Sequence, residues 1–194
     1  MGKRIEELDL SGSYTYFDYL SWEVRERLEL IRGKIRPMSP APNVQHQRIS
    51  GALFREISWF LKAKPCQVFS APFDVRLAAP GLPDKQVDTV VQPDLSVICD
   101  PTKLDERGCI GSPDIVVEVL SPGNSNREMR EKYRLYENNG VPEYWVVFPA
   151  EQVLQVYRLN AAGRYEAQPP YLPGDVLETP ILPGFQLLVA EVFE

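Results

Sequence analysis

The run Ile115-Val116-Val117-Glu118-Val119-Leu120, bounded by Pro113 on one side and Pro122-Gly123 on the other, constrains this chain more than any other stretch. Its β-branched content and turn-forming flanks predict a strand. Apolar residues fall on both alternating faces, so the strand must be central and covered on both sides. Glu118 interrupts the pattern. A carboxylate is almost never fully buried unless it is paired, because removing it from water is costly. A cation, a metal ion or a second carboxylate sharing a proton is therefore expected beside it.

The strand sits in a chain of 194 residues, which suits one domain, 1–194, able to bury a full core. A hydrophobic fraction of 44% with 25% charged residues is that of an ordinary soluble globular chain. No apolar run approaches the length of a membrane span, and "MGKRIEELDL" lacks the apolar core of a signal peptide. A cytoplasmic location and no membrane partner are the expectations. Cys66, Cys99 and Cys109 are odd in number and show no close metal-ligand spacing, so reduced, partly buried thiols are expected.

Around the central strand the pattern alternates between helix and strand signals. Tyr14 to Leu28 predicts one or two short helices, and "LELIRGKIRPM" a hairpin turning at Arg32-Gly33. Val44 to Leu61 carries an apolar stripe of Ile49, Leu53, Ile57, Phe60 and Leu61 behind Asn43, a good N-cap. Strands follow in "CQVFSAPFDVRLA" and "TVVQPDLSVICD". A second helix is expected from about Arg127 to Asn138, with Ser125 or Asn126 as cap and Gly140 as stop. "PEYWVVF", "LQVYRL" and a Pro-rich tail complete an α/β domain with a mixed sheet.

The second helix answers the question posed by Glu118. Met129, Lys132, Tyr133 and Tyr136 share one helical face, so Lys132 lies in the stripe that should pack on the sheet. There it either snorkels to solvent or reaches a buried anion, and Glu118 on the preceding strand is the obvious one. A structural ion pair is the plain reading. A third residue adds chemistry: Asp94, after Pro93, opens another apolar strand in "VVQPDLSVICD". Two strand carboxylates and a lysine form a site for a hard divalent cation, which takes one or two carboxylates plus water and substrate phosphate.

At these residues the sequence resembles the PD-(D/E)XK nuclease superfamily and, more narrowly, its Uma-type restriction-endonuclease-like family. "LELIRGKIRPMSPAPNVQHQRISGAL", "FDVRL", "VQPDLSVI", "DIVVEVLSPGNSNREMREKYRLYENNGVPEYWVV" and "PILPGFQLLVAEVF" carry the resemblance over most of the chain. It implies a restriction-endonuclease-like mixed β-sheet core (αβββαβ) flanked by helices, with an extra N-terminal helix and hairpin and C-terminal strands. It also implies a Mg²⁺ or Mn²⁺ ion held by Asp94, Glu118 and the backbone carbonyl of Val119. The superfamily pattern puts its lysine two residues after the acid, where this chain has Leu120. The resemblance implies that Lys132 takes its place from the following helix.

Other residues keep two readings. Glu29 matches the acid that the superfamily often supplies from its first region, or pairs with Lys34 on the surface. His46, the single histidine, is a locally satisfied residue at a helix start or a catalytic one, and the resemblance includes a histidine here. Asp114 rivals Asp94, although a turn at strand entry is its natural role. Gln92, Asp74 and Arg76 line the site, or Asp74 and Arg76 pair across a strand.

The net charge is −6, yet from Arg25 to Lys64 nine basic residues face three acidic ones. Such asymmetry reads either as one anion-attracting face, with phosphate contacts at Arg32, Lys34 and Arg36 among others, or as scattered solvated charge. The function expected is metal-dependent hydrolysis of phosphodiester bonds in nucleic acid, with DNA ahead of RNA. A homodimer would serve if both strands of a duplex are cut. The alternative is a catalytically silent binding or assembly module on the same fold.

Overall fold

The computed structural model describes residues 5–23, 26–38, 43–121 and 126–194. Near the N-terminus a 3₁₀ turn, Ile5–Glu7, precedes α1 (Tyr16–Tyr19), the one α-helical turn described where one or two short helices were expected. The hairpin of β1 (Leu28–Ile31) and β2 (Lys34–Pro37) turns where the sequence places it. Arg32 and Gly33 have φ of 50° and 75°, the left-handed pair that a two-residue turn requires to follow strand twist.

Helix α2 (Val44–Leu61) begins at Asn43, whose side chain accepts from the His46 N–H at 2.8 Å. Its buried stripe is His46, Ile49, Leu53, Ile57 and Leu61. Six strands follow: β3 (Gln67–Ser70), β4 (Val75–Arg76), β5 (Val90–Val91), β6 (Leu95–Ile98), β7 (Leu104–Asp105) and β8 (Gly108–Ile110). Next come β9 (Ile115–Val119), α3 (Asn126–Asn138), β10 (Glu143–Phe148), β11 (Val153–Leu159) and β12 (Tyr165–Ala167). β13 (Val176–Glu178), β14 (Gln186–Leu188) and α4 (Ala190–Phe193) end the chain. The capping side chains expected for α3, at Ser125 or Asn126, lie outside the described residues.

The strands divide between two six-stranded sheets and a two-stranded ribbon rather than one mixed sheet. The main sheet runs β12-β11-β10-β9-β6-β3, with β9 and β10 parallel through the α3 crossover and the other pairs antiparallel. Together α2, β3, β6, β9, α3 and β10 form the αβββαβ core. The second sheet, β2-β1-β5-β4-β8-β7, carries the hairpin.

β9 is central and covered on both faces, as its sequence demands. Ile115, Val117 and Val119 pack with Leu95, Val97, Trp145 and the stripe of α2. On the opposite face Val116 packs with Tyr144, Val146, Leu135 and Tyr136 of α3, and with Val75 and Val91 of the second sheet. Each such aliphatic side chain stabilises the fold by about 1.5–3 kcal/mol on burial. Glu118 points into the α3-facing layer, between helix and second sheet.

Cys109 is a free thiol as expected, but the other two cysteines are not. Cys66 and Cys99 form a disulfide across the β3–β6 pair, and Cys109 is fully buried rather than partly so. The register explains the bond: Gln67 opposes Ile98, so residues 66 and 99 face each other one step beyond. Their separation of 33 in sequence conceals that neighbourhood. Among the described residues no helix is long and apolar enough to cross a membrane.

Candidate active site

Four elements deliver the site. β9 presents Glu118, the entry to β6 presents Asp94, α3 presents Lys132, and β1 presents Glu29 from the second sheet. The Lys132 ammonium lies 2.5 Å from Glu29 Oε1 and 3.1 Å from Glu118 Oε1. It therefore bridges two carboxylates from different sheets. Lys132 thus reaches the anion instead of snorkelling past it, and Glu29 faces inward to it instead of pairing with Lys34. The Lys34 ammonium is tied to the Ser11 and Gly12 carbonyls.

Each carboxylate has a further anchor. Glu29 Oε1 accepts the Gln92 backbone N–H at 2.9 Å, and Asp94 Oδ2 accepts the Val119 N–H at 2.7 Å. The Tyr136 hydroxyl donates to Glu118 Oε1 at 2.7 Å. Sequence reasoning placed Tyr136 on the inward face of α3 without giving it a role. Its position one turn after Lys132 was the available signal. The same Asp94 oxygen, Oδ2, has His46 Nε2 3.2 Å away.

These groups line a cleft of about 160 Å³, with Arg27 and Arg36 at its edge. Arg36 pairs with Glu131, while Arg27 donates to the Gln92 side-chain oxygen. Arg32 and Lys34, expected beside Arg36, do not line the cleft. A wider, more open hollow of about 950 Å³ near Trp59, Lys62 and Cys66 lacks the acid-and-lysine cluster, and we do not read it as the site.

The charges are strongly perturbed. Burial pushes the Glu118 carboxyl up to about 7; Asp94 and Glu29 add to the rise, while Lys132 and Tyr136 oppose it. Burial disfavours the Lys132 ammonium too, but the charges of Glu118 and Glu29 outweigh it and hold the amine protonated. Burial also works against charging the His46 ring. The hydrogen bond to Asp94, the charges of Asp94 and Glu118 and the Val119 backbone prevail and raise it. Buried, convergent and mutually shifted groups of this kind are a signature of functional clefts.

The remaining candidates have other duties. Asp114 accepts the Cys99 N–H at 2.7 Å, which is its strand-entry role. Arg76 pairs with Asp105 rather than Asp74. Asp74 accepts from the Tyr16 and Tyr19 hydroxyls and the Gln92 side-chain amide, so it supports Glu29 through Gln92.

Among the described residues, no group of three or more His, Cys, Asp or Glu side chains is placed to hold a metal ion. Asp94 and Glu118 alone could supply oxygen donors, the one or two carboxylates that Mg²⁺ uses beside water and substrate phosphate.

Comparison with known proteins gives matches of three kinds. The Uma2 family, described as "Putative restriction endonuclease", matches residues 17–190. "Uncharacterized protein slr1290" of Synechocystis is 28% identical over 149 residues, 75% of this chain and 74% of that protein. The crystal structure of "a putative nuclease belonging to DUF820" from Anabaena variabilis superposes with a TM-score of 0.72 at 23% identity. That superposition covers 92% of this chain and 97% of the other, and shows a shared fold. With a restriction-endonuclease-like fold and a family match spanning nearly its whole length, this chain belongs to the Uma2 family.

Proposed function

We propose that this protein is a divalent-metal-dependent nuclease that hydrolyses phosphodiester bonds in nucleic acid, with DNA as the polymer and a homodimer as the form that cuts a duplex. The observation that carries the reading is Lys132 held between Glu118 and Glu29 beside Asp94, in a cleft edged by Arg27 and Arg36. Asp94, Glu118 and the Val119 carbonyl would hold Mg²⁺ or Mn²⁺. When bound, such an ion polarises the phosphoryl oxygen and lowers the pKa of its water.

The chain's own residues do the rest. Lys132 is a fixed cation at the point where negative charge grows in the transition state, and it needs no reorganisation when the reaction occurs. Glu29 sets the direction of that ammonium from the second sheet. Tyr136 fixes the orientation of Glu118, and the Val119 N–H does the same for Asp94. Arg27 and Arg36 supply the edge with charge for phosphate.

The test is a cleavage assay on single- and double-stranded DNA and RNA with Mg²⁺, Mn²⁺ or chelator, using the parent and Glu118→Gln. Metal-dependent cleavage by the parent alone is expected. Tight nucleic-acid binding without cleavage under any metal would return the protein to the class of binding modules.

A further inference from the structure

We infer that the exposed face of α2 is a track for single-stranded nucleic acid, leading from the cleft to Trp59, on which an unpaired base stacks. The inference rests on the nuclease reading above and adds a form of substrate and a second contact surface to it.

The helix begins at the cleft. His46, its third residue, stands against Asp94, and at 1.5 Å per residue Trp59 lies about 20 Å farther along the axis. Arg48, Arg55 and Lys62 recur every seven residues, two turns of helix, so they share one face with Gly51 and Trp59. All five residues are exposed. A β-carbon on Gly51 would meet nothing, so the middle of that face is open. The basic groups are spaced by about 10.5 Å, which matches about three nucleotides of a stacked strand at about 3.4 Å each. One register therefore brings a phosphate to each of them. Glu56, the single acid of the helix, pairs with Arg55 at 2.7 Å, yet 65% of that arginine side chain stays exposed.

Trp59 adds what phosphate contacts cannot. It is 74% exposed, and Lys62 Nζ stands 5.5 Å from its ring centroid, which sets a cation beside the stacking face. The hollow of about 950 Å³ between this end of α2 and β3, lined by Trp59, Lys62, Lys64 and Val68, gives bases room. Proteins hold single strands in this way, with bases on aromatic faces and the backbone along cations. The bases of a duplex are already stacked on one another, so Trp59 serves an unpaired strand.

Plainer roles account for only part of this surface. Lys62 and Lys64 complement the dipole at the end of the helix, but that effect fades within a turn and gives no reason for Arg48 or Arg55. One exposed apolar residue is ordinary on its own. Here it closes a row of cations that starts at the cleft.

The experiment is fluorescence anisotropy of a labelled thymidine strand of about twelve nucleotides, about twice the length of the track, beside a duplex of equal length. Each is titrated with the parent, Trp59→Ala, Trp59→Phe and the double variant Arg48→Gln with Lys62→Gln, in chelator so that no metal takes part. Trp59→Ala should weaken single-strand binding about tenfold, within the range of one stacked base, and change duplex binding little. Trp59→Phe should keep most of the affinity. The double variant should reduce the log–log salt slope for the single strand by about 1.4, two contacts at about 0.7 each. All three residues lie at the surface, so the fold, followed by circular dichroism, should survive. Equal single-strand affinity in the parent and Trp59→Ala overturns the track and leaves the nuclease reading standing, as does a parent that binds no single strand. Trp59-dependent binding by a parent that cuts nothing with any metal overturns the nuclease reading and leaves the track. Sedimentation velocity supplies the remaining outcome: a parent dimer that Trp59→Ala turns into a monomer assigns this face to a second copy and overturns the track.

Discussion

Glu118 carries a conflict between folding and chemistry: burial favours its neutral form, whereas a metal site needs its charge. Because its carboxyl is raised from 4.5 to about 7 in the fold, the native state keeps a proton that the unfolded chain has already released. The stability it contributes is complete below the unfolded value and is lost as pH rises through about 7. Glu118→Gln keeps the shape and removes this titration. Denaturant unfolding of metal-free protein should therefore show the parent losing stability relative to Glu118→Gln between about pH 5 and 7.5. Mg²⁺ or Mn²⁺ should restore the parent and leave the variant unchanged, because a bound cation favours the carboxylate. Parallel pH curves for the two proteins would remove Glu118 as the buried, metal-seeking acid.

Lys132 tests the same site from the cation's side. Leu120 lines the cleft two residues beyond Glu118 and packs in the layer beneath α3. One charged position can thus be approached from the strand or from the helix. Lys132→Leu should lower cleavage by about a hundredfold or more, the usual effect of deleting a preorganised charge stabiliser. Adding Leu120→Lys to that variant should return part of the activity, whereas Leu120→Lys alone should crowd two like charges. Full recovery is not expected, since about 1 Å of misplacement costs about a hundredfold. Folding is followed by circular dichroism in all three. Cleavage by Lys132→Leu at the parental rate would make this lysine structural.

At the scale of elements, helix α2, the hairpin and β9 were legible in the sequence because each carries its own local code. Asn43 caps, Arg32-Gly33 turns, and the apolar run with Pro113 and Pro122 at its ends marks a covered strand. The pairing of Glu118 with Lys132 was legible too, because strand and helix are consecutive. What lay hidden is long-range. The meeting of Glu29 with Lys132 joins β1 to α3 across the gap between two sheets, and the Cys66–Cys99 bond depends on a register that no spacing reveals. The support of Glu29 by Asp74 and Gln92 is equally non-local. It hinges on the parallel β4–β8 pair, where Gly108 lies against Asp74. A β-carbon at Gly108, with φ of 128°, would stand 2.2 Å from the Asp74 carbonyl oxygen. Gly108→Ala should destabilise the protein by about 2–4 kcal/mol in chemical denaturation, through a forced backbone shift and a disfavoured φ. Gly51, in the exposed middle of α2 with open space around it, is the control: Gly51→Ala should stabilise by about 1 kcal/mol. Equal effects of the two substitutions would contradict this account of how the second sheet is held together.

The whole molecule is acidic, so any grip on nucleic acid must come from the distribution of charge rather than from its total. Sequence alone points to the basic stretch from Arg25 to Lys64 as a unit, but folding splits it. Lys34 is tied to main-chain carbonyls away from the cleft, Arg55 pairs with Glu56, and Lys62 and Lys64 belong to the far end of α2. Arg27 and Arg36 remain at the edge of the cleft. Binding to duplex DNA should weaken with salt, with a slope in log–log form of about −0.9 per phosphate contacted. Arg27→Gln with Arg36→Gln should reduce that slope by about 1–2, the contribution of two contacts. Arg32→Gln with Lys34→Gln should change it little. The measurement is fluorescence anisotropy of labelled DNA from low to physiological salt, in Ca²⁺ so that binding is read without turnover. If the hairpin pair carries the slope instead, the nucleic acid lies over the tip of the second sheet and not across the Glu118–Lys132 cleft. The acid-and-lysine cluster would then face away from the polymer it is proposed to cut.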